Sequence, residues 1–131
     1  MPLNDYHSRG YKSRERVKKH GEVFTPEWMV KKMCDMLEAE NGGAECWRGT
    51  VLEPSCGTGN FLVEILNRKL SIGMSQTEAA STLFAVDIMQ DNIDESIRRL
   101  TEIAPLAEDI FKKNIVCGNF LHPDGIWFLE D

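Results

Sequence analysis

The chain has 131 residues, 42% of them hydrophobic and 27% charged, with a formal net charge of −6. This length predicts one domain with its own core, and the composition excludes a disordered chain, a fibrous repeat and a small disulfide-stabilised protein. No apolar stretch approaches the roughly 20 residues that cross a bilayer. Residues 1–10 are too polar for a signal peptide, so we expect a cytoplasmic protein without membrane contact.

Charge is distributed unevenly along the chain. Residues 1–20 carry six basic and two acidic side chains, whereas the rest of the chain carries nine basic and nineteen acidic ones. We therefore separate a basic N-terminal arm, residues 1–20, from a domain formed by residues 21–131. Such an arm could contact DNA phosphates. A solvated terminus without a ligand explains the same charges equally well.

The first helix signal is Thr25 followed by Pro26, which predicts Thr25 as the N-cap and Pro26 as the first helical residue. Apolar residues recur at helical spacing over residues 26–40, and Asn41 with two glycines then ends the pattern. The apolar positions, whose methionines we expect to lie in the core, are Met29, Val30, Met33, Met36 and Leu37.

Short apolar runs and helical patterns alternate in the rest of the chain. Strands are predicted at residues 50–54, 83–87 and 114–118, and helical segments at residues 60–70, 76–81, 89–102 and 105–111. On the helix at 60–70 we expect Asn67, Arg68 and Lys69 to form a solvated face. This alternation predicts an α/β, Rossmann-like fold with right-handed crossovers and a parallel sheet covered on both faces.

The four cysteines, Cys34, Cys46, Cys56 and Cys117, are widely spaced and form no C-x-x-C pair. A zinc site needs about four clustered ligands, and the three histidines do not complete one. We predict four reduced thiols and no metal site.

Ligands in a Rossmann-like fold bind at the carboxyl ends of the strands, which here selects the loops at 53–60, 87–89 and 118–121. The first loop contains two glycines, but Leu62 occupies the third position of a dinucleotide fingerprint. Glu53, at the end of the preceding strand, would repel a diphosphate and could instead hold an ammonium group. The G-K-[ST] sequence of a phosphate loop is absent.

Asp87 ends the second predicted strand. A carboxylate there can accept hydrogen bonds from the vicinal hydroxyls of a ribose, and Ile88 could cover one face of an adenine ring. A ligand with an ammonium group, a ribose and an adenine but no phosphates is S-adenosylmethionine. Each feature alone is commonplace, and the interpretation depends on their combination in this order.

These loops also resemble the motifs of a known family. Residues 21–26 (GEVFTP) resemble motif X of the gamma-class DNA adenine-N6 methyltransferases of restriction–modification systems, and residues 51–62 (VLEPSCGTGNFL) are similar to their motif I. Residues 84–88 (FAVDI) and 117–121 (CGNFL) resemble motifs II and III. The resemblance implies a Rossmann-like S-adenosylmethionine-dependent methyltransferase fold, truncated after its third strand.

The resemblance implies roles for residues in motifs X and I. Phe24 would pack against the cofactor, and Thr25 would donate a hydrogen bond to its carboxylate. Glu53 would face the methionine amino group. The backbone cradle of the cofactor would be formed by Cys56, Gly57, Thr58, Gly59, Asn60 and Phe61.

It also implies roles in motifs II and III. Asp87 would bind the ribose hydroxyls and Ile88 the adenine face, while Asn119 would hydrogen-bond the adenine edge and Phe120 would pack on the ring. The family more often has Asp at the position of Asn119. Because an amide oxygen still accepts a hydrogen bond, we expect weaker binding rather than its loss. Both phenylalanines could alternatively be core residues without a ligand.

The family's motif IV, [DNS]-P-P-[YFW], is missing, since the sequence contains no adjacent prolines. We therefore predict no catalytic residue, and three explanations stay open. The chain is part of a longer or truncated methyltransferase, one half of a split enzyme, or a catalytically silent S-adenosylmethionine-binding or interaction module. The first is favoured because the motifs run in the usual order up to the point where motif IV is expected.

Because the sequence lacks the part from motif IV onward, one edge of the strand at 50–54 would be unpaired. In the family's strand order, 3-2-1-4-5, it would lie beside a fourth strand that the sequence does not contain. An unpaired apolar edge invites pairing with another chain. We therefore expect a homodimer or a complementing chain at this edge, unless residues 125–129 fold back onto it.

Overall fold

A computed structural model describes residues 25–119. Several predicted features lie outside these residues: the basic arm at 1–20, Phe24, Phe120 and the apolar segment at 125–129.

The described part of the chain is a mixed α/β structure. Its strands are β1 (Val51–Glu53), β2 (Leu83–Asp87) and β3 (Ile115–Cys117). Its helices are α1 (Glu27–Glu40), α2 (Asn60–Ser71), α3 (Gln76–Ser81), α4 (Gln90–Ile103) and α5 (Glu108–Asn114). Two short 3-10 helices, Ala44–Arg48 and Pro105–Ala107, precede β1 and α5. Each strand and helix predicted between residues 25 and 119 is present, with ends that differ by up to three residues, and the first 3-10 helix was not predicted.

The three strands form a parallel sheet in the order β1-β2-β3, with Glu53 beside Ala85 and Asp87 beside Cys117. Each connection moves one strand in the same direction, so right-handed crossovers place α2 to α5 on one face of the sheet. β2 lies in the centre and contacts all four of these helices. The arrangement is Rossmann-like, as predicted.

The core lies between this face of the sheet and the helices. Its largest fully buried apolar side chains are Phe111, Leu62, Leu66, Leu83, Leu100 and Ile115. They come from α2, α4, α5, β2 and β3, so one continuous core joins the crossovers to the sheet. None of the helices between residues 25 and 119 is long and apolar enough to cross a membrane.

β1 differs from the prediction of a strand covered on both faces. Among the described residues its only neighbour is β2, and Leu52 in its centre is 43% exposed. Successive side chains of a strand point to opposite faces of the sheet, so Leu52 lies on the face opposite Val51, which packs against the core. Among the described residues this face is open at β1, and one edge of β1 has no neighbouring strand. The predicted open edge is present in the described part of the chain.

The start and the buried face of α1 also differ from the prediction. Pro26, not Thr25, is the N-cap residue, and its carbonyl accepts hydrogen bonds from the amides of Met29 and Val30. Val30 and Cys34 are the buried positions, because α1 packs mainly on α2 and the first 3-10 helix. The stripe predicted for the core is exposed at Met29, Met33, Met36 and Leu37.

The predicted solvated face of α2 is wrong for two of its three residues. Asn67 is exposed, but Arg68 is largely covered and pairs with Asp35, Glu38 and Glu64 at 2.7–2.9 Å. Lys69 is fully buried. Its ammonium group donates to the carbonyl of Trp47 and, at 2.7 Å, to that of Gly49, so it ties α2 to the chain entering β1.

Candidate functional site

The three loops selected from the sequence meet at the carboxyl ends of the strands. The amide of Cys56, in the loop after β1, donates to the carbonyl of Val86 at 3.0 Å. The amide of Gly118, after β3, donates to the carbonyl of Asp87 at 2.9 Å. β2 therefore holds the loops from both neighbouring strands, as expected for a parallel sheet whose strand ends share one edge.

The carboxylate of Asp87 is the centre of this arrangement. One of its oxygens accepts from the amide of Gly57 at 3.1 Å, and the other accepts from the amide of Met89 at 3.0 Å and from Asn92 Nδ2 at 2.9 Å. The residue is only 5% exposed. A carboxylate has about four acceptor positions, so in this conformation Asp87 can accept about one further hydrogen bond.

The glycine loop, residues 53–60, contains two glycines that share a left-handed backbone conformation but differ in their surroundings. Gly57 and Gly59 have φ angles of 54° and 97°, in the left-handed region that favours glycine. A Cβ on Gly57 would meet no atom within 4 Å, whereas one on Gly59 would lie 2.9 Å from Ser96 Oγ and 3.3 Å from Ser96 Cα. Gly59 thus lets α4 approach closely, and Gly57 leaves open space beside Asp87.

Glu53 ends β1 and is partly buried next to this loop. Its Oε1 accepts a hydrogen bond from the amide of Ser55 at 3.1 Å. Burial raises the pKa of Glu53, the Ser55 hydrogen bond lowers it, and the negative charge of Asp87 raises it. Two acidic groups therefore end adjacent strands, an arrangement that attracts a cation and repels a phosphate.

The residue predicted from motif X also reaches this loop. Thr25 lies at the beginning of the described chain, and its carbonyl accepts a hydrogen bond from Asn60 Nδ2 at 2.7 Å. A cavity of about 30 Å³ separates the two segments. Its lining consists of Thr25, Ser55, Cys56, Gly57, Thr58, Asn60 and Phe61.

Cys56 is a buried member of the loop. Burial raises the pKa of its thiol to about 12, and the charge of Asp87 adds to that effect. The thiol is therefore protonated at neutral pH and is a weak nucleophile. The backbone of Cys56, not its sulfur, connects the loop to β2. All four cysteines of the chain are free thiols.

The residues predicted to face an adenine lie at the outer side of the site. Ile88 is 41% exposed, and Asn119 is exposed after β3. The Sγ of Cys117 lies 3.5 Å from the carbonyl of Ile88, so the ends of β2 and β3 are close there. Phe24 and Phe120, which would complete the cofactor contacts, fall outside the described residues.

Sequence reasoning missed the residues of α4 that contact the loop. Asn92 donates to Asp87, Ser96 Oγ donates to the carbonyl of Gly57 at 3.0 Å, and Arg99 donates to the carbonyl of Thr58 at 2.9 Å. They recur at the helical spacing of the apolar residues Ile93 and Leu100. The sequence did contain a signal for these contacts, since the polar residues recur at helical spacing next to the buried apolar face of the helix.

A larger cavity lies away from these loops. It has a volume of about 930 Å³ and is bounded by α4, α5 and β3, with Ile93, Ile97 and Ile115 among its apolar lining. It contains neither the glycine loop nor Glu53 or Asp87. Between Thr25 and Asn119, no group of three or more His, Cys, Asp or Glu side chains could hold a metal ion.

Comparison with known proteins gives two matches to methyltransferases. The family model described as N-6 DNA Methylase matches residues 10–125. The Type II methyltransferase M.VspI of Vibrio sp. (strain 343) is 28% identical over 106 residues, which are 81% of this chain and 22% of that protein. The chain thus spans about a fifth of this curated relative. No solved structure matches this chain.

Proposed function

The chain belongs to the N-6 DNA methylase family, and from that premise we propose that it is the S-adenosylmethionine-binding portion of a gamma-class, site-specific DNA adenine-N6 methyltransferase. The observation that supports this most strongly is the convergence of the three strand-end loops on Asp87. Their residues are those in the motifs that resemble motifs I, II and III.

The donors and acceptors of the site fit a sulfonium nucleoside. Glu53 would hold the ammonium group, because a carboxylate at the rim of a partly buried loop attracts a cation. The open acceptor position of Asp87 would take one ribose hydroxyl, fewer than the two expected from the sequence. Ile88 and Asn119 would contact the adenine. When bound, the cofactor would supply the methyl group for transfer to the target base.

We propose that residues 1–131 do not transfer this methyl group alone. The [DNS]-P-P-[YFW] sequence that would accept the amino protons of the target adenine and stack on the flipped base is absent from them. Thr25, Glu53, Asp87 and the glycine loop would bind and orient the cofactor. The residues that hold the target base would come from another part of the protein or from another chain.

Calorimetric titration with S-adenosylmethionine tests the cofactor site. We expect wild-type protein to bind, and Asp87→Asn to bind at least about tenfold more weakly, because one carboxylate oxygen becomes a donor facing backbone amides. Asp109→Asn, a change of an exposed acid on α5, should leave the affinity unchanged. Equal affinities for wild type and Asp87→Asn would remove Asp87 from the site, and no binding by wild type would refute the proposed function.

One part of a split enzyme is the second candidate, and the open edge of β1 favours it over a silent binding module. Among residues 25–119, β2 is the one strand that pairs with β1, which leaves its other edge for a strand from a complementing chain. The DNA sequence following codon 131 distinguishes the candidates. Codons for a [DNS]-P-P-[YFW] sequence there, in frame or after a frameshift, would support the longer enzyme. Their absence would support completion of the enzyme by a separate chain.

We further propose that the basic arm at residues 1–20 contacts DNA. The six basic side chains of this segment would neutralise phosphates without reading sequence. Binding of a DNA duplex should therefore weaken steeply as salt concentration increases. A chain lacking residues 1–20 should bind the same duplex much more weakly. Absence of binding by the full chain at low ionic strength would refute a role of the arm.

A further inference from the structure

α4 lies behind the glycine loop and presents a row of polar side chains to it. Asn92, Ser96 and Arg99 occupy successive turns, and their partners are Asp87, Gly57 and Thr58. Arg99 extends furthest along the loop, towards the start of α2. It is the member of the row that also contacts Asn60, the first residue of α2.

Arg99 fixes the orientation of Asn60. Its Nη1 donates both to the carbonyl of Thr58 at 2.9 Å and to Asn60 Oδ1 at 2.8 Å. A guanidinium group only donates hydrogen bonds, so the Asn60 amide must turn its oxygen towards Arg99. Its Nδ2 then points to the carbonyl of Thr25, 2.7 Å away.

This chain of contacts joins the two sides of the cavity near the glycine loop. Thr58 and Asn60 belong to the loop side, and Thr25 belongs to the segment before α1. Their relative position decides how much space a ligand finds between them. Each link is directional, because a donor meets an acceptor at 2.7–2.9 Å in every step.

We propose that Arg99 is a positioning residue of the cofactor site, which holds Thr25 at a fixed distance from the glycine loop by orienting Asn60. This inference rests on the proposed S-adenosylmethionine site. Arg99 itself does not line the cavity. It acts through Asn60, and its removal frees Asn60 to rotate and releases the carbonyl of Thr25.

The adjacent Arg98 provides a matched control. It is exposed on the same helix, and it pairs with Glu95 and Glu102 at 2.8 and 2.7 Å. Among the described residues, by contrast, the hydrogen-bond partners found for Arg99 are a carbonyl and an amide oxygen. A substitution of Arg98 removes one arginine charge from α4 without changing the loop.

The affinity for S-adenosylmethionine tests the proposal by calorimetry on the full chain. Arg99→Met keeps the aliphatic stem and removes the donors, so we expect binding to weaken about tenfold, as for loss of one charge-assisted hydrogen bond. Arg99→Lys should restore the affinity to within about threefold, and Arg98→Met should bind as wild type does. Asn60→Asp should weaken binding similarly, because its carboxylate keeps the contact with Arg99 but cannot donate a hydrogen bond to the carbonyl of Thr25.

Hydrogen exchange of the ligand-free chain provides a readout that does not depend on the cofactor. Arg99→Met should speed exchange in peptides covering both residues 56–62 and residues 25–30, and Asn60→Asp should do so mainly at 25–30. Faster exchange in the loop alone, or affinity for Arg99→Met within twofold of wild type, would overturn the proposal. Failure of wild type to bind S-adenosylmethionine would refute the proposed function instead, and the exchange pattern would still decide the role of Arg99.

Discussion

Asp87 joins all three strand-end loops of the candidate site. Its carboxylate accepts hydrogen bonds from the backbone amides of Gly57 in the first loop and Met89 in the second, and its backbone carbonyl accepts one from Gly118 in the third. Buried carboxylates are stable when their oxygens accept several hydrogen bonds. The same residue thus fixes the relative position of the loops, and its carboxylate has room for about one further hydrogen bond.

The raised pKa of Glu53 predicts that cofactor binding depends on pH. Burial raises the pKa of this carboxyl group, and the protonated form no longer attracts an ammonium group. We expect the affinity for S-adenosylmethionine to fall as pH decreases through this raised pKa, beginning at a higher pH than the ordinary glutamate value of about 4.3 would give. Calorimetry between about pH 7 and pH 5 measures the change.

Glu53→Gln is the control for this prediction. The amide is uncharged at every pH, so the variant should bind more weakly near neutrality and with little pH dependence over the same range. A pH dependence of the wild-type affinity that does not differ from that of Glu53→Gln would show that Glu53 does not hold the ammonium group.

The sequence predicted the residues of the strand-end loops but not those that support them. Glu53, Gly57, Gly59 and Asp87 follow or end apolar runs, so the fold class alone brings them together. Arg99 lies on a helix, and only the approach of α4 to the loop at Gly59 brings it into reach. Such contacts depend on packing distances, which a single sequence does not contain.

At the level of elements, α1 shows where periodicity fails. The pattern at Met29, Met33 and Met36 is helical, and the helix is there. The pattern does not say which neighbour the helix meets. α1 lies against α2 and the unpredicted 3-10 helix, so Val30 and Cys34 are buried and the methionines remain exposed. Amphipathic spacing identifies a helix more reliably than it identifies its partner.

The attachment of α2 to the chain before β1 depends on Lys69. Burial lowers the pKa of its ammonium group from 10.5 to about 8. Above pH 8 the folded chain releases this proton, whereas the unfolded chain keeps it up to about pH 10.4. Lys69 should therefore contribute an increase in the free energy of unfolding as pH increases above about 8, by at most about 1.4 kcal/mol per pH unit.

Urea unfolding at several pH values measures this slope, with Lys69→Gln as the control. The amide has no proton to release, so the variant should lack the increase. Burial also raises the pKa of Cys34 to about 11 and that of Cys56 to about 12, so these thiols lower the free energy of unfolding as pH increases through their ordinary value of about 8.5. The contribution of Lys69 is therefore the difference between the pH slopes of wild type and Lys69→Gln, and equal slopes would contradict the lowered pKa assigned to Lys69.

At the scale of the whole molecule, β1 has an unpaired edge within residues 25–119. Leu52 is exposed there, in a strand whose sequence is typical of a buried one. In the absence of a complementing chain, we expect a second copy to cover this edge. Sedimentation velocity over a range of concentrations should show a reversible dimer.

Two leucine substitutions distinguish association through the edge of β1 from nonspecific hydrophobic association. Leu52→Lys places a charge on the edge and should abolish the dimer. Leu106→Lys changes an exposed leucine, 78% accessible, in the 3-10 helix before α5, and should leave the dimer intact. A wild-type chain that stays monomeric at the highest concentration, or a dimer that tolerates Leu52→Lys, would refute self-association through β1.

The central position of β2 also has a consequence for how the molecule folds. Val51 pairs with Leu83 and Ala85 with Ile115, so each strand contact closes a loop of about 30 residues. Neither pair of strands can form before β2 is in place, and contacts between residues this far apart in sequence slow folding. Since both neighbours share that one strand, we expect the strand-end loops to come together late and in a single cooperative step, and a nascent chain that stops before β2 would contain Glu53 and the glycine loop but not Asp87, which joins the loops.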